Sequence, residues 1–321
     1  MLEAGITALQ KVSIAGRPAP RWAALAITVA LVLAAFFIIV NILLGQVDAI
    51  SKAWPRYLER FQDIAANLVK WAGPEAAENL RTAIAEINLG QLLPRVAGTT
   101  GSFFSTVLLV ALYVGFLLSE QKHFNSRIAA LWIKHRNAHD IEEILKAISS
   151  KMRRYIWVTT AMGILEGLCS YAILRYLGID FAETWALLIV LLSFIPNIGA
   201  MFGIVFPALL ALVQFDTYWP FVAVVVGLTF VQVAVGNVLG PIVMGRTLNI
   251  SSFAVVVLLA LWGTIWGVVG MILSIPIAVI FMIASAHLPN WRWVAVLLSA
   301  DGEVVDFVTS NDHEEPCDST A

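Results

Sequence analysis

The residues that could do chemistry in this chain are few, and most lie inside long uncharged stretches. Glu166 sits well within the apolar run from Tyr155 to Leu177. A charged carboxylate is costly there, so a group that takes up and releases a proton, or holds a cation, is one reading. The other is structural: part of a cavity wall or a partner for Arg175, although a nine-residue spacing is too long for one helical face. Asn197 stands in Phe194-Ile195-Pro196-Asn197-Ile198-Gly199. Proline lacks an N–H donor and clashes with the preceding turn, so a helix should break there. An unwound turn exposes carbonyls and amides, and Asn197 adds one more donor and acceptor. Such a turn suits a small polar solute or a dehydrated monovalent cation. Alternatively, Asn197 caps the half-helix that follows. Gln232 and Asn237 lie five residues apart, ahead of Gly240-Pro241. They either line the same pathway or bond across helices. Gly267 and Gly270, with Pro276 beyond them, mark a second interruption. The candidate pathway is therefore Pro196, Asn197, Gly199, Gln232, Asn237, Gly240, Pro241, Gly267, Gly270 and Pro276, with Glu166 as the candidate ion or proton coupler.

Covalent chemistry has no comparable signal. No phosphate-binding loop or dinucleotide fingerprint is present. His123, His135 and His139 fall in a charged segment without cysteines or paired carboxylates to share a metal. Cys169 lies in an apolar span and Cys317 in the tail, so a disulfide between them is not expected. The reading is a protein without catalytic residues, metal or cofactor.

The elements that must position these residues follow from where charge is absent. The chain has 321 residues, 60% hydrophobic and only 13% charged, with a net charge of −2. Its mean hydropathy is +0.84. Soluble domains are about a quarter charged, so a water-soluble enzyme, a disordered chain and a nucleic-acid binder are all disfavoured. Trp22–Leu44 is an uncharged run long enough to cross about 30 Å of hydrocarbon. Ser102–Ser119 and Tyr155–Leu177 are two more candidate spans. From Thr184 to Trp291 only Asp216 and Arg246 are charged. Within that stretch, blocks 184–215 and 252–286 are long for one span and short for two. Each is interrupted in its middle and followed by an arm carrying a proline, Pro207 or Pro276. Both read as helical hairpins or re-entrant segments, a backbone tolerated at membrane depth only inside protein or against a watery cavity. The expected fold is all-α: a polytopic helical membrane protein with two broken hairpins and amphipathic extramembrane helices.

Lysine and arginine set the orientation. Segment 120–155 holds eight basic against four acidic residues, whereas 46–101 holds six of each. The positive-inside rule places 1–22 and 120–154 in the cytoplasm and 46–101 outside. Span 155–177 then runs outward, and 218–236 returns inward. The two hairpins enter from opposite sides, and both termini are cytoplasmic. If each hairpin crosses fully, that parity is unchanged. The transmembrane core is 155–298, followed by an acidic tail at 299–321.

Outside the spans, Val47, Ile50, Trp54, Tyr57, Phe61, Ile64, Leu68 and Trp71 form a stripe of alternating three- and four-residue spacing. This predicts a helix lying on the bilayer or on its own protein, or a subunit contact in an oligomer, with Pro55 in its first turn. Pro74 opens a second amphipathic stretch. The basic segment 120–154 sets topology and attracts anionic lipid headgroups, making membrane lipids an expected partner. Gly199-x-x-x-Gly203, Gly236-x-x-x-Gly240 and Gly263-x-x-x-Gly267 read as sites of close helix approach.

Taken in order, Phe194-Ile-Pro-Asn-Ile-Gly199, Pro207, Gly236-Asn237-x-x-Gly240-Pro241-x-x-Met-Gly245-Arg246-x-Leu248 and Gly267-x-x-Gly270-Met271-x-x-x-x-Pro276 resemble the autoinducer-2 exporter family of membrane permeases. The likeness runs from about Trp22 and is densest from 185 to 285. It implies a transporter of the bacterial inner membrane with cytoplasmic termini. It also implies a homo-oligomer, with a pentamer as the candidate assembly. The implied cargo is autoinducer-2 or, by exchange for protons, sodium or lithium. Family members carry two further hydrophobic segments ahead of the one at 22–44, and Met1–Arg21 resembles the basic loop that would follow them.

Overall fold

The computed structural model describes residues 45–72, 138–244, 249–286 and 291–300, with isolated positions elsewhere such as Ser13–Ile14, Arg17–Pro18, Leu109, Tyr113 and Phe116. The expected spans 22–44 and 102–119, the stretch from Pro74, His123, His135, Gly245–Leu248 and the tail with Cys317 lie wholly or largely outside them.

The architecture is helical. Its sheet content is a two-strand ladder, β1 (Ser13–Ile14) paired antiparallel with β2 (Arg17–Pro18), Ser13 opposite Pro18. The helices are α1 (Val47–Ala72), α2 (Ala138–Tyr176), α3 (Ala182–Leu192), α4 (Ile198–Gln214), α5 (Trp219–Met244), α6 (Ser252–Trp266), α7 (Val268–Ala286) and α8 (Arg292–Leu298). Three of these are long and apolar enough to cross a membrane: Leu145–Tyr176 within α2, α5 and α7. Their outer faces carry exposed Trp157, Leu168, Val226, Phe230, Ile242 and Phe281, as expected of surfaces that meet lipid.

Element boundaries differ from those read in the sequence. One helix, α2, runs for 39 residues through the 154/155 border between the expected cytoplasmic segment and span. The apolar run after it simply extends a helix already begun. The span expected to end near 236 continues to Met244. Pro55 is not in a first turn: α1 begins at Val47 and holds Pro55 inside it. The helix start is set upstream, where the Ile50 N–H donates to the Gln46 carbonyl at 2.8 Å.

The chain divides into two compact units. One takes the described residues of 1–123, 167–189 and 201–231; the other takes those of 124–166, 190–200 and 232–321. The core of the first unit is Leu174, Ile179, Ala182, Ala208, Ala211, Val224 and Leu228, contributed by α2, α3, α4 and α5. Small residues on α4 let these helices approach, and Pro207 is fully buried among them. In the second unit α7 packs against both α6 and α8, burying Ala278, Val279, Met282 and Ile283. The ends of that packing are pinned by backbone bonds: Ser251 N–H to Leu298 O at 2.9 Å and Ala300 N–H to Asn249 O at 3.2 Å. Arg154 donates to the Val243 carbonyl at 3.1 Å, a cation at the carbonyl end of α5.

Candidate functional site

Every candidate pathway residue and Glu166 fall in the second unit. The first interruption occupies 193–197, between α3 and α4. Leu192 still accepts from the Ile195 N–H at 2.8 Å, and the Pro196 carbonyl accepts from the Ile198 N–H at 2.6 Å, closing a three-residue turn around Asn197. Asn197 holds φ 59, a left-handed conformation that asparagine tolerates better than other side chains. An N-cap residue sits in the β region instead, so Asn197 does not cap α4. Its amide is exposed and makes no hydrogen bond among the described residues. Gly199 is required by space: a Cβ there would overlap the Leu192 carbonyl oxygen.

Glu166 is brought to this turn. It is only 9% exposed, and the Ser193 hydroxyl approaches its Oε2 at 3.5 Å, the outer limit of a hydrogen bond. Gly163, one turn earlier on α2, makes the approach close. A Cβ at Gly163 would stand 3.1 Å from the Ser193 side chain and 3.4 Å from the Val190 carbonyl. The expected link to Arg175 is not made: Arg175 is exposed, and the partner of Glu166 is on the broken hairpin.

The second interruption is a single residue. Gly267, with φ 62 and ψ −141, ends α6, a region essentially reserved for glycine. Its N–H donates to the Gly263 carbonyl at 2.9 Å, and its own carbonyl accepts from Met271 at 3.1 Å. Gly270 repeats the logic of Gly199, since a Cβ would overlap the Trp262 carbonyl oxygen. Trp262 and Trp266 pack at 5.1 Å between ring centroids, and the buried Trp262 indole N–H has no partner among the described residues. Ser274 turns back to the Met271 carbonyl at 2.7 Å. Pro276 lies within α7.

Gln232 and Asn237 sit on a feature that their sequence did not announce. Gln232–Leu239 is a π-helical stretch inside α5, where bonds run to the fifth residue and side chains five apart stack on one face. Pro241 supplies the reason. Its ring cannot donate and crowds the carbonyl four residues back, and widening the turn relieves that clash. The signal was Pro241 itself, placed after two glycines. Among the described residues, those glycines meet no other helix. The Gln232 amide folds over Gly236 at 2.5 Å from a would-be Cβ, and Gly240 faces only the Val235 carbonyl of its own helix. Asn237 is exposed. Among the described residues, no three His, Cys, Asp or Glu side chains gather where they could hold a metal ion; Cys169 is a free thiol.

A polar cluster that sequence reasoning missed lies in the first unit. Tyr57 donates to Asp180 Oδ2 at 2.6 Å, and Arg56 reaches the same oxygen at 3.1 Å. Burial, reinforced by the bond to Asp180, pushes the Tyr57 phenol up to about 12. Arg60 donates to the Asp216 carbonyl at 2.8 Å and approaches its carboxylate at 3.6 Å. Gln214 accepts from the Asp180 N–H at 2.8 Å and donates to the Gly178 carbonyl at 2.7 Å. The apolar side of α1 faces its own protein as well: Trp54, Leu58 and Phe61 border Leu209 and Val213 of α4. This stretch of the stripe has neighbours within its own chain, as the first of the two readings expects.

Comparison with known proteins adds context to this geometry. The family described as AI-2E family transporter matches residues 6–290. The AI-2 transport protein TqsA of Escherichia coli K12 is 28% identical over 284 residues, 87% of this chain and 81% of that protein. A Haemophilus influenzae protein whose name assigns transport without a substrate is 26% identical over 304 residues, 91% of this chain and 84% of its own. Escherichia coli YhhT is 30% identical over 204 residues, 63% of this chain and 57% of YhhT.

Proposed function

The chain belongs to the family of AI-2E transporters, and from that premise we propose that it moves a small polar solute across the bacterial inner membrane by alternating access, with autoinducer-2 as the first solute to test. The similarity to a protein named for AI-2 transport motivates that choice. One observation carries the site: an exposed Asn197 amide, without a hydrogen bond among the described residues, in a left-handed turn inside an otherwise apolar hairpin. Peptide groups freed at such a turn can replace part of a solute's hydration, as discontinuous helices do in secondary transporters. Arms of 11 and 17 residues span only about 16 and 26 Å, short of the hydrocarbon thickness, which favours a re-entrant first hairpin. The second hairpin, entering from the cytoplasmic side, would bring Gly267 and Gly270 to the same wet cleft, with Gln232 and Asn237 along its wall. Transport needs no covalent step. Both termini would be cytoplasmic, the assembly a homo-oligomer, and lipids its surroundings.

The test is flux with purified protein in liposomes, with autoinducer-2 and sodium offered in parallel under an imposed proton gradient. Asn197→Leu should abolish flux while expression and oligomer size stay unchanged. Wild-type flux in that variant would remove Asn197 from the pathway. A second reading is sodium or lithium exchange for protons, favoured by the contact between Glu166 and Ser193. In that case Glu166→Gln removes pH-dependent cation exchange, and exchange at the wild-type rate rejects it. Absence of flux for every solute would leave a membrane scaffold instead.

A further inference from the structure

Helix α1 grips both ends of the first hairpin at once. Arg56 and Tyr57 converge on Asp180, in the turn that leads into α3. Arg60 holds Asp216, two residues beyond the end of α4. Gln214, the last residue of α4, braces the Asp180 turn by a bond in each direction. One extramembrane helix, one arm's start and the other arm's end are thus tied in a single polar knot. The apolar packing beneath that knot is incomplete. A half-open apolar groove of about 250 Å³ lies between Trp54, Leu58 and Phe61 on one side and Leu209 and Val213 on the other, so the seam is not closed along its length. A helix held by exposed ion pairs and a short phenol bond over an unfilled seam is fixed in place yet readily lifted.

We propose that α1 is a strap that sets the position of the first hairpin, making Arg56, Tyr57 and Arg60 positioning residues for transport although they touch no solute. The inference rests on the transport reading for its purpose but not for its test. Asp180 stands just before Ala182, and α3 is one rigid rod from there to Leu192, next to the interrupted turn. Tightening or releasing the knot therefore shifts where both arms of the hairpin meet α1.

The experiment uses the full chain in proteoliposomes, with Cys169→Ser and Cys317→Ser as background and Val213→Cys, on the α4 side facing α1, as reporter. The readout is the alkylation rate of the introduced thiol by a charged maleimide, in protein permeabilised to both sides. Tyr57→Phe combined with Arg60→Gln should raise that rate about tenfold or more, tenfold being the low end for losing a hydrogen bond to a charged partner. Arg60→Lys, which keeps the charge, should restore most of the original rate in the Tyr57-containing protein. Arg60→Gln alone gives a milder version if the double variant folds poorly. Rates equal to the parent in both loosened variants overturn the strap. Because alkylation is read without solute, that result leaves the transport reading standing, while loss of transport in the parent with altered alkylation in the variants has the opposite meaning.

Discussion

Tyr57→Phe isolates the bond on which the knot depends. The phenol is buried, with 6% of its surface exposed, and phenylalanine keeps the ring, so no cavity forms. Only the hydroxyl bond to Asp180 is lost. At 2.6 Å that bond has the short length of a charge-assisted pair, and hydrogen bonds to charged groups contribute about 1.5–3 kcal/mol. Asp180 retains Arg56, but that pair is open to solvent, with 64% of the arginine side chain and 38% of the aspartate exposed. Exposed pairs contribute about 0–1 kcal/mol. Tyr57→Phe should therefore weaken the seating of α1 by about 2 kcal/mol, and Arg56→Ala by less than about 1 kcal/mol. Two kcal/mol corresponds to about a thirtyfold shift in a local opening equilibrium. Amide hydrogen exchange across residues 50–64, in a mild detergent, reads that equilibrium directly. Protection should fall about thirtyfold in Tyr57→Phe and only a few-fold in Arg56→Ala. If Arg56→Ala loosens the helix more than Tyr57→Phe, the bond has been given the wrong weight and the knot is a surface ion pair.

The same phenol makes the seating sensitive to alkali. Its raised value, about 12 against an ordinary 10, means that the folded state favours the neutral form. The contribution of Tyr57 is thus complete below pH 10 and lost as pH rises through about 12. Phenolate absorbance should lose one late-titrating tyrosine in Tyr57→Phe, and that component should shift downward in Asp180→Asn. At the hairpin tips, Gly199→Ala and Gly270→Ala should lower the melting temperature sharply, because each Cβ overlaps a backbone carbonyl. Gly203→Ala meets the Ile189 Cγ1 at 3.3 Å rather than a backbone carbonyl and should be milder; a Gly199→Ala variant as stable as Gly203→Ala would refute that steric account. Gly267→Ala has open space but an unfavourable φ, and should cost of order 1–3 kcal/mol by thermal unfolding.

What the sequence by itself determined is what a few neighbouring residues can enforce. Charge scarcity marked the apolar helices, since no side chain along them offered hydrophilic escape. Pro196 dictated an interruption because a missing donor and a ring clash act within one turn. Gly267 and Gly270 marked the second interruption for equally local reasons. Pro241 carried a local signal too, but a proline can kink, end or widen a helix, and only the packed α5 selected the π-helical answer. Tertiary structure alone decided the rest. Glu166 could have met Arg175 on its own helix; it meets Ser193 instead, because Gly163 lets the broken hairpin come close. Arg56 and Arg60 looked like the solvated flank of an amphipathic helix, and Tyr57 like one more member of its apolar stripe. Their partners stand more than a hundred residues away, and no periodicity within α1 can encode which distant turn will be laid beside it.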